Sequence, residues 1–160
     1  MATINRSAEH DHPHSTAKIG GHPIHPMLIP FPIVCFIGVL VTDIVFLSTS
    51  NPMWAIASRY LLGIGIVMAA LAAVAGLTDF MGSARIRSMG DAVKHMLANV
   101  TAVVLEIVNF FVRLNSDAAI RGIGIILSAI VVLILIYSGW KGGDLVFRHG
   151  IGVEDESRAL

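Results

Sequence analysis

Four stretches of the chain, about residues 26–48, 54–78, 91–113 and 118–140, are apolar with few interruptions. The fourth has a second reading, continuing through Gly142-Gly143 to about Phe147. At about 1.5 Å of rise per residue, a helix of each length crosses a hydrocarbon core about 30 Å thick. Backbone polar groups in lipid must be paired within their own segment, so spans of this kind are helices. The pattern predicts an all-α integral membrane protein, a four-helix bundle with both termini on the same side.

The third stretch organises the others. His95, Asn99, Ala102, Glu106, Asn109 and Arg113 fall at offsets of 0, 4, 7, 11, 14 and 18. Steps of three and four residues place all six on one helical stripe. Val, Leu, Ile, Met and Phe occupy the other faces. A membrane helix with one polar stripe turns it from lipid toward other helices or a water-filled cavity.

Punctuation between the stretches sets the expected boundaries. In Gly20-Gly21-His22-Pro23-Ile24-His25-Pro26 each histidine precedes a proline and is biased to extended backbone. That puts His25 at the cap of the first helix and Pro26 at its first position. Asn51-Pro52 and Asn115-Ser116-Asp117 read as turns. Residues 81–90 read as a basic loop, with Asp91 capping the third helix. Residues 1–21 read as a disordered tail containing His10, His12 and His14; a loose metal-binding tract is the alternative. The transmembrane domain covers 22–153, and 154–160 is an acidic tail. Gly65, Ala69 and Ala73, and again Ala72 and Gly76, recur every four residues, a spacing that lets helix backbones approach in lipid, within one chain or between copies. No internal repeat is evident.

Four crossings also sort the polar residues by side. His22, His25, Asp79, Asp91, His95, Asp144 and His149 all fall near the face that carries the termini. Asp43, Arg59 and Glu106 fall toward the other face, each about 8–10 Å in from its helix end. A charge near the bilayer centre costs about 2.5–3.5 kcal/mol, so these three are expected to meet, with Arg59 bridging Asp43 and Glu106. The cluster reads as an ion pair locking three helices. Alternatively it is a proton relay, because two carboxylates share one arginine.

Composition narrows the class further. The chain of 160 residues is 55% hydrophobic and only 14% charged. Its formal net charge is zero, so no nucleic-acid footprint is expected. The single Cys35 cannot form an intrachain disulfide, and no Cys-x-x-Cys-His attaches haem covalently. Metalloprotease, phosphate-loop and nucleophile-elbow motifs are missing, and the sequence makes no enzymatic claim. Eight of the eleven Lys and Arg residues fall on the termini side, which favours termini in the cytoplasm.

His25, Asp79, His95 and Asp144 form the candidate metal site, each from a different helix end. Imidazole and carboxylate together suit zinc, iron or manganese. Two histidines from different helices also suit haem b iron, bound from both faces. Asn99 is the candidate hydrogen-bonding support, and His22 and His149 are substitute ligands. The opposing reading is that these groups only cap helix ends and bond one another. A third reading is a small proton or ion conduit along the third-helix stripe.

His-Pro-Met-Leu-Ile-Pro-Phe-Pro-Ile (25–33), Gly-Leu-Thr-Asp (76–79), His-Met-Leu-Ala-Asn (95–99) and Gly-Gly-Asp-Leu-Val-Phe-Arg-His-Gly-Ile-Gly-Val (142–153) carry a resemblance. In this order they resemble the bacterial predicted membrane protein family known as domain of unknown function 2231, over about residues 20–153. The resemblance implies a four-helix protein of the bacterial inner membrane. Relatives fused to Rieske iron–sulfur or cytochrome c modules imply membrane redox work with redox partner proteins. Its motif polar residues are His25, Asp79, His95, Asn99 and Asp144; relatives carry an acid or a histidine at the place of Asp144.

Overall fold

The computed structural model describes residues 15–114 and 116–153. The expected tails 1–14 and 154–160, with His10, His12 and His14, and Asn115 of the 115–117 turn lie outside the described residues. A short hairpin of β1 (Lys18–Ile19) and β2 (His22–Pro23) leads into α1 (Ile24–Leu28) and α2 (Pro30–Thr49). Then follow α3 (Pro52–Gly82), α4 (Ala84–Ser88), α5 (Gly90–Leu114), a 3-10 turn (Asp117–Arg121) and α6 (Ile123–Phe147). Among the described residues, four helical segments are long and apolar enough to cross a membrane: Ile24–Thr49, Pro52–Gly82, Gly90–Leu114 and Ile123–Phe147.

Local chemistry explains where each helix begins and ends. Helix entry comes at Ile24, two residues before Pro26, because the extended Pro23 serves as its cap. Ser50 ends α2 in the left-handed region, at φ 54°, with its N–H on Phe46 O at 2.8 Å. Asn51 caps α3 by accepting from Met53 N, with Pro52 at the first helical position where no N–H is needed. Helix α3 continues through Asp79 to Gly82, beyond the expected end at 78. The 81–90 segment is not all loop, because Ser83 caps the single-turn α4. Asp91 lies in the first turn of α5 and makes an ion pair there rather than a cap. The fourth span follows its longer reading, to Phe147.

The tail boundary also moves. Residues 15–23 form a strap held chiefly by one carboxylate oxygen, with a further bond from Thr16 Oγ1 to Thr78 O (3.0 Å). Asp79 Oδ1 accepts from Ser15 Oγ (2.8 Å), Thr16 N (2.7 Å) and Ala17 N (2.8 Å). Charge-assisted bonds of this kind are each worth about 1.5–3 kcal/mol. Asp79→Ala is expected to release the strap, raising the rate of tryptic cleavage at Lys18 by about tenfold or more. An unchanged cleavage rate would show that Asp79 is not its anchor.

The spans pack as two hairpins, α2 against α3 and α5 against α6, joined by α2–α6 and α3–α5 contacts. The buried centre is Phe36, Val39, Leu62, Ala69, Ala102 and Val131. Gly65 lets Phe36 lie on the α3 backbone, where an added Cβ would sit 2.6 Å from the ring. Gly65, Ala69 and Ala72 are buried between helices of this one chain, while Ala73 is exposed. Three of the five small-residue positions are thus buried inside the bundle. Val34, Val41, Tyr60, Val67, Val74, Leu133 and Ile136 point outward as a membrane-facing apolar surface.

Candidate functional site

The polar stripe of α5 faces the bundle interior, as its spacing requires. Glu106, Asn109 and Arg113 are fully buried, and His95 and Asn99 are half-buried. The residues it meets form two centres, separated by the apolar layer of Phe36, Val39, Leu62, Ala102 and Val131.

The first centre is an ion pair. Arg113 Nη1 lies 2.6 Å from Asp43 Oδ1 and Nη2 2.8 Å from Asp43 Oδ2, a two-pronged pairing with both side chains fully buried. The other donors of the guanidinium are also used. Nη1 donates to Ser58 Oγ (2.7 Å), Nη2 to Ser128 Oγ (2.9 Å) and Nε to Asn109 Oδ1 (2.7 Å). All five N–H groups thus have acceptors, which a buried arginine needs. Ser58 and Ser128 return hydroxyl bonds to Asp43 at 2.7 and 2.8 Å. Gly124 leaves room for the group, since a Cβ there would lie 3.2 Å from Nε and Nη2.

This corrects the expected Asp43–Arg59–Glu106 bridge. Arg59 Nη2 lies instead 3.2 Å from Asp117 Oδ1 on a partly exposed face. The reason is helical rotation. Consecutive residues are about 100° apart around a helix. With Ser58 turned fully inward, Arg59 must point sideways. Arg113 stands on the same inward stripe as Glu106 and takes the place expected for Arg59 beside Asp43, without bonding Glu106.

The second centre is the histidine pair. The His25 and His95 rings lie 6.2 Å apart between centroids with their planes at 90°. His25 Nδ1 lies 2.8 Å from Ala72 O, and His95 Nδ1 2.9 Å from Ser138 O. A carbonyl only accepts, so each Nδ1 carries a proton, and in the neutral imidazole the lone pair then falls on Nε2. Asn99 Nδ2 donates to His95 Nε2 at 3.1 Å. Among the described residues nothing hydrogen-bonds His25 Nε2. Each ring rests on a glycine one turn beyond the carbonyl it bonds. An added Cβ on Gly76 would lie 2.8 Å from His25 Nδ1, and one on Gly142 3.0 Å from His95 Cε1.

The two carboxylates expected to join the histidines do not. Asp79 holds the strap. Asp144 is buried between Lys141 Nζ (3.1 Å) and Arg148 Nε (3.0 Å). His149 Nε2 lies 3.5 Å from Asp91 Oδ2, and His22 is exposed on β2. Both carboxylates sit where a cation or a row of N–H donors already neutralises them, so neither is drawn to the imidazoles. Among the described residues, no three His, Cys, Asp or Glu side chains are grouped to hold a metal ion.

The two centres expose an internal repeat that sequence reading missed. His25 and His95, Asp43 and Arg113, and Ser58 and Ser128 are each separated by 70 residues. Asp43–Ser58 and Arg113–Ser128 each span 15 residues within one hairpin. Each hairpin therefore supplies one histidine, one charge and one serine at matching places. The usable signal was the spacing of histidine to charge, 25 to 43 and 95 to 113, hidden because the paired charges have opposite sign.

A family model described as a predicted membrane protein, domain of unknown function 2231, matches residues 21–155. The chain belongs to this family. No curated protein and no solved structure matches it significantly. The family description names a membrane protein and assigns no activity, so it adds nothing to the chemistry of the two centres.

Proposed function

We propose that this bacterial inner-membrane protein is a redox component that holds haem b through His25 and His95. One observation carries the reading. Two imidazoles on different hairpins each donate Nδ1–H to a helix carbonyl and keep a basic Nε2. This is the tautomer and the outer hydrogen bond that metal-ligating histidine uses. The donor set favours haem b over a bare zinc, iron or manganese ion. A bare ion needs three or four protein ligands, and Asp79 and Asp144 are committed elsewhere. Haem brings four of its own and asks the protein for one or two. Bound there, haem would supply one-electron chemistry, and a redox partner protein would exchange the electron. The chain's own part is to fix the two rings against Ala72, Gly76, Ser138 and Gly142 and to enclose them in an apolar bundle.

A purely structural role is the second reading, favoured by Asn99, whose amide satisfies His95 Nε2 without any ligand. The conduit reading loses support, because the apolar layer around Ala102 lies between Asn99 and Glu106. The eight-to-three Lys and Arg bias favours both termini in the cytoplasm. The bias strengthens because Arg113 is committed to a buried pair and is not a loop charge.

The test is an absorption spectrum with elemental analysis of untagged protein. Haem b bands are expected in the wild type. They should be lost in His25→Ala and His95→Ala and kept in Asp79→Ala and Asp144→Ala. A wild type without haem or metal, or a His95→Ala protein with undiminished content, leaves the structural reading.

A further inference from the structure

We propose that Glu106 is a proton-binding site inside the bundle, with its proton on Oε1. Glu106 is fully buried. Its Oε2 accepts from Asn109 Nδ2 at 2.9 Å, while Oε1 has no hydrogen-bond partner among the described residues. The neighbouring charges come from two elements, Asp43 on α2 and Arg113 on α5 itself. Among the described residues, helices α3 and α6 bring only the hydroxyls of Ser58 and Ser128 to the network.

The charge count decides the state of the carboxyl. Arg113 is fully engaged by Asp43 through both carboxylate oxygens, and its five N–H groups are all used. An ionised Glu106 would therefore leave the buried network at a net charge of minus one, with one oxygen bare. Uncompensated buried charge is among the costliest states a protein interior can hold. Taking up one proton, carboxylate plus H⁺ to carboxylic acid, brings the network to zero. It also leaves the Asn109 bond to Oε2 intact, since that oxygen is the carbonyl acceptor of the acid. The inference is independent of the haem reading, because the apolar layer separates the two centres.

Infrared spectroscopy of the full chain in a detergent without ester groups tests the proposal. At neutral pH the wild type should show the carbonyl stretch of a protonated carboxylic acid, shifted in D₂O. Glu106→Gln, which mimics the neutral acid, should fold and lose the band completely. Asp43→Asn frees Arg113 to pair with Glu106, so the proton should leave and the band should fall at least severalfold. Absence of the band in wild type overturns the proposal, whether or not any variant folds. Persistence in Glu106→Gln also overturns it, placing the proton on another carboxyl. Persistence in Asp43→Asn overturns the charge balance on which it rests.

Discussion

Replacing Arg113 by methionine is expected to destabilise the bundle by about 3–5 kcal/mol, the cost of removing one partner of a buried ion pair. The substitution strands Asp43, whose two oxygens face the guanidinium in a site fully closed to solvent. Ser58, Ser128 and Asn109 lose an ionic partner at the same time. Association of helices in lipid has no hydrophobic drive of the kind that works in water, so a polar centre shared by all four spans has few substitutes. The double variant Asp43→Leu with Arg113→Met should recover most of the loss, since apolar replacement of a whole buried pair is often neutral. Arg59→Leu should stay within about 1 kcal/mol, because its pair with Asp117 is partly exposed. Unfolding in mixed detergent micelles reads all four proteins. An Arg113→Met protein as stable as wild type, beside a destabilised Arg59→Leu protein, would restore the Arg59 bridge.

The second large effect is expected at the two glycines under the histidines. Gly76→Ala places a methyl group 2.8 Å from His25 Nδ1, and Gly142→Ala places one 3.0 Å from His95 Cε1. Contacts this short displace the ring, and overpacking of this kind costs about 1–3 kcal/mol. Displacement also breaks the Nδ1–H bond to Ala72 or Ser138 and lets the imidazole change tautomer. If the pair holds haem as proposed, both variants should therefore lose it while keeping both histidines and an inserted fold. Gly139→Ala is the control, because its Cβ would meet nothing within 4 Å. If Gly76→Ala and Gly142→Ala bind as the wild type does, the carbonyl seats do not orient the rings. The two should also behave alike, because each hairpin seats its histidine by the same device.

The sequence by itself determined the four spans, their order and the shared side of their ends, because length and continuous apolarity are local properties of a chain in lipid. It also determined the inward stripe of α5, since steps of three and four residues fix a face without reference to any neighbour. What only the tertiary structure decided was partnership. Whether Arg59 or Arg113 meets Asp43 depends on the rotation of α3 and α5 about their own axes, and the depth of a charge along a helix does not carry that angle. Asp79 and Asp144 looked like ligands because they lie at the same end as His25 and His95. Their competitors, the Ser15–Ala17 strap and the Lys141 and Arg148 side chains, come into reach only when the segments fold back. Gly76 reads as a packing glycine and Gly142 as part of the last helix end; only the fold sets a histidine ring on each. The repeat stayed hidden for the same reason. Its equivalent positions carry an acid in one hairpin and a base in the other, and only their meeting across the bundle shows that they are one feature.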